Sequence, residues 1–349
     1  MQQRAMQPGH GTDTRYGSFV HAHAAHCESG VMASLVRHYG FPFSEAMAFG
    51  LSSALCFAYL PFVRINGLPL IAFRMWPKSI IQGLEKALGL GMRFETFRSP
   101  ERGMARLDEL LGEGKLVGLQ TSVFWLPYFP SDLRFHFNAH NVLVCAREGD
   151  EYVISDPVAE MLVRCARADL QKARFAKGML APKGLLYYPT KKPAAPDWAR
   201  VGRSAIAKTC HVMLHSPLPI IGVRGIRMLA TRVERLPVDG DGGAARMYMG
   251  NIVRMQEEVG TGGAGFRFLY ASFLQELAAL TGERTLEGLA PRLVEIGDRW
   301  REFAVAAARQ IRRRDPLAPP ALAAQLRGIA DHEQSFFRDL RRAQLAWRC

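Results

Sequence analysis

The stretch from His21 to Gly40 holds residues that could bind a metal or attack a carbonyl group, directly ahead of an amphipathic run. Three histidines, His21, His23 and His26, precede Cys27. These four side chains are too close along the chain to surround one zinc ion easily, and structural zinc sites usually take ligands from two separate segments. A thiol at a helix start fits better, because the helix dipole and unpaired N–H groups favour the thiolate. Cys27 is therefore the candidate nucleophile.

A cysteine nucleophile also needs an imidazole base and a group that orients this base. In "AHNVLVCAREGDEYVISDP", His140 opens one predicted strand and Asp156 closes the next. If the two face each other across a hairpin, paired positions sum to 296 and the turn centres on Glu148 instead of the Gly149–Asp150 bond. His136 competes for the role of base, but His140 leads directly into the apolar strand that would hold it rigid. The alternative is a hairpin with polar ends and a core cysteine elsewhere.

An oxyanion formed at Cys27 would need hydrogen-bond donors, the first being the Cys27 backbone N–H. Papain-like enzymes usually carry a glutamine about six residues before the cysteine, and His21 occupies that position here. An imidazole N–H could donate in its place. Gln120, on the predicted strand before "SVFWLPYF", is the second candidate.

Two further motifs predict structure more than chemistry. "GTGGAG" at 260–265 has the glycine spacing of a dinucleotide-binding loop, but the run before it has a helical period, so a hinge or helix-capping loop is favoured. "HVMLH" places His211 and His215 four residues apart, as zinc-binding helices do. It lacks the glutamate beside the first histidine and an obvious third ligand, so core or interface histidines are favoured.

The elements that must position Cys27, His140 and Asp156 follow from hydrophobic periodicity. Helices are predicted from Cys27 to a cap at Gly40, through "FPFSEAMAFGLSSALCFAYL" with Ser44 as N-cap and Pro61 beyond the end, and in "PKSIIQGLEKALGL" and "PERGMARLDELLGEG". "KLVGLQTSV", "HNVLVCARE" and "EYVISDP" are predicted strands. The fold class is therefore α+β, with an antiparallel sheet, followed by an all-α region. The predicted segments are a flexible N-terminus at 1–20, a first domain at 21–188, a linker at 189–202 and a helical domain at 203–349.

Composition limits the partners. Lys and Arg exceed Asp and Glu by 13 charges, so an acidic partner is expected. Nucleic acid is a minor possibility, because the chain has no basic strand interleaved with aromatic residues. The six cysteines show no disulfide-like rhythm, and we predict a cytoplasmic protein with no signal peptide and no membrane span.

The stretches "HCESGVMASLVRHYGFPFSEAMAFGLSSALCFAY", "FWLPY" and "HNVLV…YVISDP" resemble the N-terminal domain of the butirosin biosynthesis acyltransferase family. "GGAGFRFLYASFLQELA" and the later "WREFA" resemble the helical domain of unknown function that often follows it. Together they cover most of the chain in the matching order. The resemblance implies a papain-like fold for residues 21–188.

The resemblance also implies an activity. Enzymes of this type take an acyl group from the phosphopantetheine arm of an acyl carrier protein and deliver it to an amine, with no cofactor of their own. Carried onto this chain, Cys27 would be the nucleophile, His140 the base and Asp156 the orienting residue. The expected partners are an acidic acyl carrier protein and a small-molecule or lipid amine. A cysteine peptidase or amidase and a non-catalytic carrier-binding module remain as alternatives, and the sequence leaves the oligomeric state open, a homodimer included.

Overall fold

The structure, a computed structural model, describes residues 19–192, 194–238, 240 and 242–347. The predicted flexible segment 1–20 lies outside these residues, apart from its last two positions. In this part of the chain, no helix combines the length and the apolar character that crossing a membrane would require. The strands are β1 (Leu55–Ile65), β2 (Leu68–Arg74), β3 (Met92–Glu95), β4 (Val117–Thr121), β5 (His140–Glu148), β6 (Glu151–Ser155), β7 (Val163–Ala166) and β8 (Leu186–Pro189). The helices are α1 (Cys27–His38), α2 (Glu45–Leu51), α3 (Ser79–Leu88), α4 (Pro100–Gly112), α5 (Arg167–Arg174), α6 (Trp198–His215), α7 (Gly222–Glu234), α8 (Gly243–Val253), α9 (Arg267–Thr281), α10 (Arg284–Ile311) and α11 (Pro319–Ala346).

Two compact units divide the chain, and neither is continuous in sequence. The first unit contains the described residues up to His23, together with Ser34–Pro42 and Arg93–Tyr188. The second contains Ala24–Ala33, Phe43–Met92 and the described residues from Pro189 onward. Much of the predicted first domain, 21–188, therefore groups with the C-terminal helices, so proximity in space does not follow the linear division predicted from the sequence.

The first unit is built on a six-stranded sheet in the order β3-β8-β4-β5-β6-β7, and the pairs from β8 to β7 are antiparallel. The hydrophobic core lies between the sheet and the helices α4 and α5. Buried apolar side chains from both layers form it: Leu107, Leu110, Leu119, Val142, Ile154 and Leu170. The predicted α+β class is confirmed.

The hairpin of β5 and β6 has a different register from the one considered above. Glu148 lies opposite Glu151, so the turn is the Gly149–Asp150 pair, and Gly149 takes a positive φ of 62°. A β-bulge at Cys145 shifts the register beyond it, where Leu143 lies opposite Ser155 and paired positions sum to 298. The predicted sum of 296 and the turn at Glu148 are therefore wrong. If this register continues by one position, Asp156 lies opposite Val142, two residues from His140. His140 and Asp156 are then diagonal neighbours, which long side chains can still bridge.

The second unit contains a two-stranded antiparallel sheet of β1 and β2. The sequence predicts one helix from the Ser44 cap to Pro61, and this is wrong beyond Leu51. The Ser44 cap is present, its hydroxyl accepting from the Met47 N–H at 3.0 Å, but the chain leaves the helix after Leu51 and becomes β1. The reason is the Asn66–Gly67 turn, whose two positive φ angles of 52° and 80° suit a tight hairpin that pairs β1 with β2.

The rest of the second unit is helical, as predicted. Helix α11 packs against α6, α7 and α10, and α10 packs against α8 and α9. Helix α6 begins at Trp198, where the Asp197 carboxylate accepts from the Arg200 N–H at 3.0 Å, so the last part of the predicted linker 189–202 is helical. The "GTGGAG" loop follows α8 and a π-helical turn, Arg254–Glu258, so a helix precedes it, as predicted.

Candidate functional site

The predicted nucleophile, Cys27, is the first residue of α1 and is 7% exposed. Just before α1, the backbone N–H groups of Ala25 and His26 donate to the Glu45 carboxylate, at 2.9 and 2.8 Å. The same carboxylate accepts from the Ser29 hydroxyl at 2.9 Å. N–H groups in the first turn of a helix have no intrahelical partner, so the Cys27 N–H is placed as an oxyanion donor would be.

The residue after Cys27, Glu28, fixes α1 to another helix. Its fully buried carboxylate accepts from the backbone N–H groups of Lys78, Ile80 and Ile81, at 3.1, 2.9 and 3.3 Å. These groups begin α3, whose N-cap residue Lys78 has no capping side-chain bond of its own. Arg74 completes the charge balance with a 3.4 Å ion pair. Glu28 therefore caps α3 and holds the turn that carries Cys27.

The "GTGGAG" loop packs behind the same turn. Gly260 has a φ of 61°, and a methyl group added there would come within 3.3 Å of the Ala25 carbonyl oxygen. A methyl group added at Gly262 would contact the Ala25 side chain at 3.4 Å. Phe266, just after the loop, meets the His26 ring edge-on, with the ring centroids 5.4 Å apart. The loop is thus a structural support for the residues that precede Cys27.

The predicted base and orienting residue, His140 and Asp156, form a buried pair in the first unit. His140 Nε2 lies 2.7 Å from Asp156 Oδ2, and the two residues are 4% and 0% exposed. The carboxylate therefore engages the Nε2 side of the His140 ring. The competing His136 is exposed and stacks on Phe124, with the ring centroids 4.1 Å apart.

Tyr128 and Phe129, in the "LPYF" stretch, complete this pair. The Tyr128 hydroxyl donates to Asp156 Oδ2 at 2.8 Å, and the Phe129 ring meets the His140 ring edge-on at 5.6 Å between centroids. The Val158 N–H donates to Asp156 Oδ1 at 3.1 Å. Burial alone would raise the pKa of Asp156, but the charge and hydrogen bond of His140, with the two other donors, bring this pKa below its ordinary value. Asp156 is therefore an anion at neutral pH.

Neither predicted oxyanion side chain has a hydrogen to spare in this structure. Both hydrogens of the Gln120 amide are donated to backbone carbonyl oxygens, those of Asn138 at 2.8 Å and Leu180 at 3.0 Å. His21 Nε2 lies 3.0 Å from the Ala159 carbonyl oxygen and must donate to it, while Nδ1 lies 2.7 Å from the Ser155 hydroxyl. Burial lowers the pKa of His21, which favours this neutral form. Both side chains therefore serve to brace loops of the first unit.

Three sequence predictions concern the histidines of α6, a metal site and the other cysteines. His211 and His215 are both exposed on α6, so a core role for them is wrong. Among the described residues, no group of three or more His, Cys, Asp or Glu side chains is placed to hold a metal ion. Burial raises the pKa of four other thiols to about 12, which makes them poor nucleophiles: Cys56, Cys145, Cys165 and Cys210.

The structure thus brings His140 and Asp156 together in the first unit and places Cys27 at a helix start in the second. Sequence reasoning missed Tyr128, Glu45 and Glu28. The signal for Tyr128 was its place in the aromatic "LPYF" stretch, which the sequence interpretation used only as a family motif. The two glutamates carried no signal, because most of their partners are backbone N–H groups.

Comparison with known families confirms both parts of the resemblance. Residues 26–157 match the family "Butirosin biosynthesis protein H, N-terminal", and residues 168–340 match "Domain of unknown function (DUF4872)". No curated protein matches the chain. Among solved structures, a crystal structure described as that of a C39-like peptidase from Bacillus anthracis aligns with 14% identity and a TM-score of 0.33, over 47% of this chain and 88% of that chain.

Proposed function

We propose that this chain, whose residues 26–157 match the butirosin biosynthesis protein H N-terminal family, is an acyltransferase that uses Cys27 as a covalent nucleophile. The donor is an acyl group held as a thioester on the phosphopantetheine arm of an acyl carrier protein. The acceptor is an amine of a small molecule or lipid. The name of this family supports a role in biosynthesis.

The first half-reaction forms an acyl-enzyme. His140 takes the proton of the Cys27 thiol, and the thiolate attacks the thioester carbonyl carbon. The Cys27 backbone N–H stabilises the tetrahedral oxyanion. The carbon–sulfur bond to pantetheine then breaks, and the pantetheine sulfur leaves with the proton from His140. The products are acyl-Cys27 and the free carrier thiol.

The second half-reaction transfers the acyl group. The acceptor amine attacks the acyl-Cys27 carbonyl carbon, and His140 accepts a proton from the amine nitrogen. Collapse of the intermediate forms the amide and releases the Cys27 sulfur, which regains its proton. Asp156 remains ionised throughout, and its hydrogen bond stabilises the imidazolium that forms in both halves.

One observation supports the proposal most directly, namely the buried His140–Asp156 pair with its Tyr128 donor. A hairpin with polar ends would need neither the burial of the carboxylate nor three donors converging on it. The net charge of +13 agrees with an acidic carrier as donor, because opposite charge speeds docking.

Intact-mass measurement after mixing the protein with acyl-carrier thioesters tests the mechanism. We expect the mass of one acyl group to appear on the wild-type chain and on a Cys145→Ser control, and to disappear when amine is added. A Cys27→Ser variant should show no such adduct. A Cys27→Ser variant that still transfers acyl groups at the wild-type rate would eliminate the mechanism.

A second assay, with peptide substrates, separates acyl transfer from hydrolysis. Cleavage of peptide substrates in the absence of any amine acceptor would instead identify a cysteine peptidase or amidase. A chain that binds the carrier but forms no adduct would be a non-catalytic binding module.

A further inference from the structure

We propose that a basic groove on the first unit binds the phosphate group of the donor's phosphopantetheine arm, an inference that rests on the proposed function. The groove has a volume of about 610 Å³. Its lining includes three cationic side chains, Arg98, Lys177 and Lys183, and two aromatic ones, Phe97 and Phe175.

The charge of the groove favours an anionic ligand. None of its lining residues is acidic, and none of the three cations forms an ion pair with a residue that the structure describes. Two other cations of the same unit are neutralised by carboxylates: Arg106 pairs with Glu95, and Arg167 pairs with Asp108 at 2.6 Å. Arg and Lys side chains are the usual ligands of phosphate oxygens. The unpaired charge of the groove therefore suits a phosphate.

The groove is held in shape by backbone bonds and close packing. The Phe97 N–H donates to the Lys183 carbonyl oxygen at 3.0 Å, which joins the two walls. Lys183 has a φ of 54°, and the next residue, Gly184, has a φ of 64°. A methyl group added at Gly184 would lie 2.5 Å from the Phe175 ring, so only glycine fits here. The backbone that carries these cations is therefore held in a fixed conformation by the fold.

Two buried amides attach the groove to the strand that carries the candidate base. Asn138 Nδ2 donates to the carbonyl oxygens of Lys177 and Met179, at 3.2 and 2.9 Å. Gln120 Nε2 donates to the Leu180 carbonyl oxygen, and Gln120 lies opposite Asn141 in the sheet. Asn138 and Asn141 flank His140 closely in the chain. These bonds therefore fix the cationic loop relative to His140.

The shape and charge of the pantetheine arm match this arrangement. The arm is long and flexible, carrying its phosphate at one end and its thioester at the other. A phosphate held at the groove would limit where the thioester can move and would raise its local concentration at the site. The apolar part of the arm could pack on Phe97 and Phe175. The ligand that we assign to the groove is the phosphate of the arm, not the acidic surface of the carrier.

Direct binding measurements test the proposal without depending on catalysis. The full chain would be titrated by calorimetry with 4′-phosphopantetheine and with pantetheine, which lacks the phosphate. We expect the wild type to bind the phosphorylated form at least about tenfold more tightly, since charge-assisted contacts to phosphate are among the strong hydrogen bonds. A Lys177→Ala/Lys183→Ala variant should lose this preference.

A matched control removes the same charge elsewhere on the unit. Arg102→Ala/Lys172→Ala changes two exposed cations outside the groove and should keep the preference. Equal wild-type affinity for the two ligands would overturn the proposal. An equal loss in the control variant would also overturn it, because net charge and not the groove would then be responsible.

Kinetics distinguish failure of the groove from failure of the proposed function. With a carrier-bound donor, the groove variant should raise KM about tenfold, and with an acyl N-acetylcysteamine thioester, which has no phosphate, it should change nothing. Acyl transfer with an unchanged KM would refute the groove alone. Phosphate-dependent binding without acyl transfer would refute the proposed function and leave the groove. A further outcome is that the groove variant binds the carrier protein more weakly to the same extent with and without its phosphopantetheine arm. That result would assign the groove to the carrier's acidic surface and overturn the phosphate assignment.

Discussion

Asp156 in the first unit and Glu333 in the second are both fully buried carboxylates, but their charges are balanced by different kinds of partner. Glu333 pairs with Arg267, which is equally buried. Arg267 Nε and Nη2 donate to the two Glu333 oxygens at 2.8 and 3.0 Å, and Trp300 Nε1 donates to Oε1 at 2.7 Å. A guanidinium does not lose its proton in proteins, so Glu333 faces a permanent positive charge.

The Arg267–Glu333 pair also organises the loop behind Cys27. Arg267 Nη1 donates to the Gly265 carbonyl oxygen at 2.7 Å, and its guanidinium lies about 5.4 Å from the Trp300 ring centroid. Gly265 is the last residue of the "GTGGAG" loop, in which Gly260 and Gly262 lie next to Ala25, two residues before Cys27. This pair is therefore structural, and its function is to hold the shape of the loop.

His140 differs from Arg267 because an imidazole can gain or lose a proton near neutral pH. Burial and a short ionic hydrogen bond are common to the two pairs, so neither feature by itself marks a catalytic site. What distinguishes the His140–Asp156 pair is a partner whose charge can change. The role of a buried carboxylate therefore depends on the group that neutralises it.

Replacing His140 removes the titratable partner of Asp156 and should have the largest effect, a loss of acyl-transfer rate. In His140→Gln, an amide can still donate to Asp156 but cannot act as a base. We expect the acyl-transfer rate to fall about 10³-fold, within the usual range for loss of a general base. The measurement is single-turnover transfer from acyl-Cys27 to amine, with urea unfolding as a check on folding. A wild-type transfer rate in this variant would refute the role of His140.

Replacing Arg267 should have the next largest effect, a loss of unfolding free energy. Arg267→Met leaves Glu333 buried without its cation, which costs about 3–5 kcal/mol of unfolding free energy. The double variant Arg267→Met/Glu333→Leu removes both charges and should recover most of this loss. Urea unfolding of the three proteins measures both values. A double variant as unstable as the single one would mean that the packing of Arg267, and not its charge, matters.

Tyr128→Phe should have a smaller effect, confined to the first pair. It removes one donor that lowers the pKa of Asp156, at a cost of about 1.5–3 kcal/mol for a hydrogen bond to a charged group. A carboxylate with a lowered pKa contributes stability above its unfolded pKa of about 3.9 and loses it as pH falls through the folded value. With the pKa less depressed, Tyr128→Phe should begin to unfold at a higher pH in acid titration. Tyr188→Phe, whose hydroxyl donates to Glu95, is the matched control and should leave the Asp156 carboxyl resonance unchanged in NMR.

Gly260→Ala should have the smallest effect and tests the support behind Cys27. Alanine at a φ of 61° costs about 1 kcal/mol, and the new methyl group would crowd the Ala25 carbonyl oxygen. Gly282→Ala, at a φ of 74° with open space around it, should cost about the same stability without touching this turn. Only Gly260→Ala should change the rate at which iodoacetamide alkylates Cys27, by several-fold. Equal alkylation rates in the two variants would show that the loop does not position Cys27.

Local sequence patterns predicted a good part of this arrangement. Helix α1 starting at Cys27, helices α3 and α4 after their prolines, and strands β4 to β6 all agree with the structure. The helix predicted beyond Leu51 failed because a short apolar run is compatible with either a helix or a buried strand. The register of β5 and β6 failed because the bulge at Cys145 has no signature in the sequence.

Residue types and their spacing along the chain were enough to predict which residues could do chemistry, the start of α1 at Cys27 and the resemblance of residues 26–157 and 168–340 to two families. Only the tertiary structure decided which carboxylate meets which partner. Asp156 receives its donors from Tyr128, 28 residues earlier, and from His140, 16 residues earlier. Contacts of this kind depend on how the sheet and its loops fold back on one another. Periodicity records only neighbours within one element, so it carries no information about them.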